Sequence, residues 1–361
     1  MKNSFPSANT VIVREASVDD DDDDDEFQSY DYSHDTVKAD APKPSYIRTC
    51  LADLMATDKI PQLEAALQVL PSLLDMYKIE CEEVALELVR ILLNYNSDFS
   101  IDAFQVLQLN GLVALCGHYP LLVSDYLCKQ FYEKNYTLTQ RSLILKTIQE
   151  TGRKLSELEQ LRTKVQHELR VSDADEEVSD DDGDAWRSII AERLKLKTKH
   201  RFQRRSVKQR ASKENHFGTI VGHFFYPLMA FIDRSTAHLA LIDGDQEHLL
   251  LCELLACLGR LCIHAQNTFV LVAMIKQFWQ VLQSLQQHQD PGVRHAVVYA
   301  YACCLVSLGQ TCADEELQMN LIELKQWLDM IISKDTNTEV QKLARSTRQI
   351  LLRTLQEITT N

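Results

Sequence analysis

The feature that most constrains this chain is its run of apolar residues spaced three and four apart, repeated in segment after segment. Leu63, Leu67, Leu70 and Leu74 form one such stripe. Val84, Leu88, Ile91 and Leu92 form another, and Val293, Val297, Tyr301, Cys304 and Leu308 a third. That spacing puts the apolar side chains on one face of an α-helix, and such a face needs a neighbour to bury it. Glycine and proline number only 10 and 8 in 361 residues, which favours helices over turn-rich β architecture. The periodicity predicts helices over 45–56, 60–76, 81–93, 99–116, 119–132 and 138–166. A second set is predicted over 219–232, 246–264, 268–287, 293–308, 315–333 and 339–358.

Short connections between amphipathic helices are the pattern of HEAT-like helical pairs. Asp290 precedes the helix-compatible Pro291, an N-cap acid before proline, and Asp335 precedes another helix in which Val340, Ala344, Thr347, Leu351 and Leu355 follow a comparable register. The fold expected is all-α, HEAT-like repeats forming an α-solenoid, with a compact helical bundle as the structural alternative. Four regions follow: a disordered acidic tail at 1–43, a helical-repeat region at 44–166, an acidic then basic linker at 167–214, and a C-terminal helical-repeat domain at 215–361.

Charge is segmented along the chain. The net charge is -14, and Asp19 to Asp25 are seven consecutive aspartates followed by Glu26, which repel one another when the backbone compacts. Residues 186–213 reverse the sign, with eleven Lys/Arg against Glu192 alone. The opening at Met1 does not resemble a stable domain start, so a fragment, an isoform and a protein with a tail are all readings of it. The ten cysteines are scattered among aliphatic residues without a framework of short disulfide loops, and read as small reduced core residues of an intracellular protein. Residues 249–263 are interrupted by Glu253 and Arg260 and read as a buried helix, not a membrane span. Cytoplasmic and nuclear residence is the expectation.

A search for chemistry finds no phosphate-cradling glycine loop, HExxH pair or serine-hydrolase elbow, so no enzymatic activity and no cofactor are expected. Cys252, Cys257, Cys262 and His264 lie close in sequence. Their spacing in an aliphatic helix fits poorly with the short chelating loops of zinc sites, and buried structural cysteines are the preferred reading. The run His223-Phe224-Phe225-Tyr226-Pro227-Leu228 admits two readings: an aromatic docking site, or a packed helix end stopped or redirected by Pro227. Packing is preferred, and exposure of Phe224 or Phe225 would reverse that preference.

The basic tract 197–213, with Arg201, Arg204, Arg205, Lys208 and Arg210, offers phosphate contacts and an alternative function in nucleic-acid binding. It is not accompanied by a zinc finger or an aromatic platform. An acidic partner or nuclear targeting are its other uses. In the acidic segments, Ser17, Ser172 and Ser179 each have an aspartate three residues on, a pattern suited to an acidic-directed kinase. Phosphorylation there would add charge-assisted acceptors for a basic reader.

Several ordered pieces carry a family resemblance. They are Asp22-Asp23-Asp24-Asp25-Glu26-Phe27, Pro44-Ser45-Tyr46-Ile47, Asp125-Tyr126-Leu127, Gln130-Phe131-Tyr132, Asn215-His216-Phe217 and Val221-Gly222-His223-Phe224-Phe225-Tyr226-Pro227-Leu228. Over 22–361 the chain resembles the C-terminal half of the metazoan telomere-length-regulation (Tel-two) family. The resemblance implies a helical-repeat scaffold in the Tel-two complex, with two other helical-repeat subunits. It further implies a co-chaperone adaptor for newly made phosphatidylinositol-3-kinase-related kinases of DNA-damage and nutrient signalling. Phosphorylation would link it to a prefoldin-like and AAA-ATPase cochaperone assembly and to the heat-shock chaperone. The family's acceptor serine lies in an Asp-Ser-Asp-Asp-Glu-Phe pattern, which places Asp23 at the serine position here. Aspartate offers one charge and two acceptor oxygens, less than a phosphate, so Ser17 is the nearer modification candidate.

Overall fold

The computed structural model describes residues 41–56, 59–95, 103–172, 216–230, 232–233, 238–239, 247–308 and 315–360. The architecture is all-α. Twelve helices are present among the described residues: α1 (Ile47–Met55), α2 (Ile60–Met76), α3 (Lys78–Asn94), α4 (Phe104–His118), α5 (Pro120–Tyr132), α6 (Leu138–Ser172), α7 (Val221–Met229), α8 (Glu247–His264), α9 (Leu271–Leu285), α10 (Pro291–Leu308), α11 (Glu315–Lys334) and α12 (Thr338–Thr360). A 3-10 turn at His216–Thr219 leads into α7, and a two-residue ladder pairs Ile232 with Leu239 and Asp233 with His238.

The helices pack as successive pairs, α1 with α2 through to α11 with α12. Even-numbered helices also pack in one continuous row, each against the next from α2 to α12. Odd-numbered helices form a second layer, with contacts from α1 to α3, α5, α7 and α9 in turn. The layer is extended from α9 to α11 by Lys276 Nζ on Glu316 at 2.6 Å and Gln283 Nε2 on Glu323 at 3.4 Å. This two-layer stacking of helical pairs is an α-solenoid, and the pairs flanking residues 173–215 continue one stack through the α5–α7 and α6–α8 contacts.

The repeat is visible in its cross-links. Tyr95 donates to the Leu54 carbonyl and Tyr119 to the Lys78 carbonyl, both 41 residues apart, and the α9–α11 links span 40. Turn chemistry repeats as well. His288 Nδ1 accepts from the Asp290 amide, Asp290 Oδ1 accepts from the Val293 amide, and Arg294 donates back to the His288 carbonyl at 2.8 Å. In the next pair Asp335 accepts from the Asn337 amide, Asn337 Oδ1 from the Val340 amide, and Gln341 donates to the Asp335 carbonyl at 2.7 Å. The N-cap of α12 is thus Asn337. Asp335 has a different duty, gripping Arg294 of the preceding pair in a two-bond ion pair at 2.8 and 3.0 Å.

The stripes read from sequence lie inside, with Ile91 and Leu355 only half-buried. Leu63, Leu67, Leu70 and Leu74 are all fully buried, each worth about 1.5–3 kcal/mol of transfer free energy. α10 is long and apolar enough to cross a membrane by composition, but 61% of it is buried between its neighbours, the position of a core helix. Several boundaries differ from those the periodicity gives. The helix expected over 219–232 is cut to α7, which begins after the 3-10 turn at His216–Thr219 and ends at Met229, two residues beyond Pro227. The helix expected from 268 starts at Leu271, behind Asn267 in the left-handed region (φ 61°) and the Thr268 hydroxyl bonded to the Ala265 carbonyl at 2.7 Å. α6 runs on to Ser172, past residue 166.

Candidate functional site

Residues 216–229 sit where the third helical pair meets the fourth. Phe217, Phe224, Phe225 and Leu228 are fully or almost fully buried. Phe225 meets Phe278 of α9 edge to face, with centroids 5.8 Å apart. Two glycines permit the close approach. A Cβ on Gly152 of α6 would stand 3.0 Å from Leu261 and 3.3 Å from the Phe217 ring, and one on Gly218 only 2.7 Å from Thr268 Cβ.

Pro227 creates the chemistry of this seam. In a regular helix the residue 227 amide would donate to the His223 carbonyl, and proline cannot. Cys128 of α5 turns its thiol to the vacated region, 4.0 Å from the His223 oxygen and 3.8 Å from the Phe224 oxygen. The Tyr132 hydroxyl, one turn further along α5, donates to the Leu228 carbonyl near the end of α7. Burial pushes the Cys128 thiol and the Tyr132 phenol well above their ordinary pKa values, so both remain protonated donors. Side chains of α5 thereby satisfy backbone oxygens that α7 cannot satisfy itself.

The docking reading of the aromatic run is not what this geometry offers, since the Phe224 and Phe225 rings fill the interior. His223 is exposed, and Gly222, Tyr226 and Pro227 are half-buried. Gly222 has room for a Cβ, 3.4 Å from the Tyr226 ring. Tyr46, at the N-cap of α1, is 65% exposed. Ser17, Asp22, Asp23, Asp24, Asp25, Glu26, Phe27, Ser179 and the basic residues Arg201, Arg204, Arg205, Lys208 and Arg210 lie outside the described residues. Ser172 is the last residue of α6.

The α8 cysteines diverge. Cys257 donates to the Leu145 carbonyl of α6 at 3.6 Å, Cys262 meets Cys304 of α10, and Cys252 lies by Gly292. Burial raises the Cys257 thiol to about 12. Among the described residues, no group of three His, Cys, Asp or Glu side chains converges as a metal site would require. Ser156 Oγ lies 3.4 Å from His264 Nδ1, but it bonds to the Arg153 carbonyl at 2.9 Å and the serine is buried, an arrangement unsuited to nucleophilic attack.

The family model for telomere length regulation protein matches residues 44–152, from the residues before α1 to Gly152 of α6, the glycine on which Phe217 packs. The human telomere length regulation protein TEL2 homolog is 32% identical over 330 residues, covering 88% of this chain. Over most of its own length the chain is similar to telomere length regulation proteins. The mouse TEL2 homolog is 30% identical over the same length and that of Xenopus tropicalis 28% over 323 residues. The chain spans 39% of the length of the human and mouse telomere length regulation relatives. No solved structure matches it.

Sequence reasoning placed Tyr132 in a family motif and Cys128 among core cysteines, and missed their joint role. The available signal was Pro227 inside a helical stripe, which announces a carbonyl in need of an outside donor. Arg294 was missed too, although it lies only four residues after the Asp290 cap.

Proposed function

We propose that this chain is a telomere length regulation family member corresponding to the C-terminal half of its longer relatives. In this reading it is a non-enzymatic co-chaperone adaptor that promotes assembly and stability of phosphatidylinositol-3-kinase-related kinases. The observation that carries the reading is the stack of six helical pairs among the described residues, in a chain similar to those proteins over 88% of its length. A stack of this kind offers long, two-sided surface for several partners at once and asks no bond chemistry of any residue. Its partners would be the two helical-repeat subunits of the Tel-two complex, the immature kinase, and the prefoldin-like and AAA-ATPase assembly with the heat-shock chaperone. Ser17 and the acidic run around Asp23 are the proposed handle for that machinery, and the cytoplasm and nucleus the proposed locations.

Affinity purification of the tagged full chain from cells tests this directly. Recovery of both helical-repeat subunits and of newly synthesised kinase is expected, with shortened kinase half-life on depletion of the chain. The reading fails if only nucleic acid is recovered, in a salt-sensitive manner that disappears on deletion of 197–213.

A further inference from the structure

The outer layer at the start of the stack carries an uncovered surface of unusual chemistry. Ile79, the second residue of α3, is 86% exposed, and Met76 and Tyr46 beside it are 64% and 65% exposed. Tyr46 and Ile79 are walls of one cleft of about 410 Å³, whose other residues include Arg48, Glu80 and Glu83. The Tyr46 ring lies 6.5 Å from that of Tyr77, which ties α1 to the α2–α3 turn. The next turn joins the same edge: Tyr119 donates to the Lys78 carbonyl, His118 Nε2 meets Asp75 at 3.0 Å, and Leu121, just beyond, is 56% exposed.

Carboxylates outnumber cations on this surface, whose basic residues are Arg48 across the cleft and Lys78 at the start of α3. Glu80, Glu82, Glu83 and Glu87 are all exposed along α3. Glu83 has Arg48 at 3.4 Å, but both side chains are largely in solvent, a geometry worth little. Arg90, which follows them, is placed over the Tyr126 ring at 5.5 Å. An apolar strip edged by carboxylates is mismatched to a second copy of the chain, because a two-fold contact would bring the glutamates of α3 together. It is equally mismatched to anionic lipid or nucleic acid. A helix with an apolar stripe and flanking lysines or arginines complements it on both counts.

We infer that the α1–α3 face docks an amphipathic, basic helix of a partner protein, with apolar residues in the Tyr46–Ile79 cleft and cations over the α3 glutamates. The inference goes beyond the adaptor reading and rests on this surface alone, so either can fail without the other.

The test is fluorescence anisotropy with the full-length chain and a labelled 18-residue model helix carrying leucine on one face and lysine on the other. A charge-reversed peptide with glutamate for lysine is the comparison. Saturable binding of the lysine peptide is expected. Ile79→Ser should weaken it about tenfold, the scale of a central interface anchor. The double substitution Glu80→Lys/Glu83→Lys should weaken the lysine peptide and favour the glutamate one, while Met319→Ser on α11 leaves binding unchanged. All these positions are exposed, and circular dichroism of each variant verifies the fold. Equal affinity for both peptides, or indifference to Ile79→Ser and the charge reversal, overturns the inference. So does a chain dimer that dissociates on Ile79→Ser, which makes a second copy the occupant. Binding of the peptide only after deletion of 197–213 assigns the face to the chain's own basic tract and overturns it as well.

Discussion

Replacing Arg294 with methionine should loosen the last helical pair from the rest of the stack. The guanidinium reaches Asp335 through Nε at 2.8 Å and Nη2 at 3.0 Å, while Nη1 donates to the His288 and Gln289 carbonyls, each at 2.8 Å. The Arg294 side chain is 14% exposed and that of Asp335 2%. Methionine keeps much of the aliphatic volume but leaves a buried carboxylate held by the Asn337 amide and two carbonyls stripped of a donor. Loss of one partner from a buried, hydrogen-bonded pair costs about 3–5 kcal/mol. Opening of α11 and α12 should then become roughly 100- to 3000-fold more frequent, read as faster amide exchange over 340–351 with α2 unchanged. Arg294→Met/Asp335→Asn should be less destabilised than the sum of its single variants, because the stranded charge is gone. pH gives a second readout. Arg294 holds the Asp335 carboxyl below its ordinary value. Its stabilisation is therefore present above the unfolded aspartate pKa of about 3.9 and lost as pH falls through the lower folded value. That acid-sensitive component should vanish in Arg294→Met. Strict additivity of the two substitutions, or unchanged exchange in α12, would refute the assignment of the pair as the lock between repeats.

Four further outcomes are expected. Tyr132→Phe strands the buried Leu228 carbonyl and should cost about 1–3 kcal/mol in urea unfolding, whereas Tyr126→Phe, half-exposed on the same helix, should stay within about 0.5 kcal/mol. Gly218→Ala should destabilise because its Cβ would overlap Thr268, while Gly117→Ala, with nothing within 4 Å, should stabilise α4 by about 0.5–1 kcal/mol, both checked by thermal melts. Burial lowers the His264 pKa, so its contribution is complete above the unfolded value of about 6.5 and declines as pH falls below it; this acid sensitivity should diminish in His264→Gln. Of the described cysteines, Cys252 alone is not fully buried, so alkylation followed by mass spectrometry should modify it first among them.

The sequence by itself determined that the chain is helical and which face of each helix is hidden. The helix expected over 60–76 is α2 to the residue, and the stripes of α2 and α10 are buried as their spacing demands. These properties are local: a residue three or four places away lies on the same helical face whatever the rest of the molecule does. The pairing of α5 with α7, the use of Cys128 and Tyr132 to satisfy carbonyls around Pro227, and the grip of Asp335 on Arg294 were decided only by the tertiary structure. A stripe records that a face is buried without recording against what. His223 and Cys128 lie 95 residues apart, and Arg294 and Asp335 41. The partner of a buried polar group at such separations is chosen by how the helical pairs stack, and no local spacing encodes that choice.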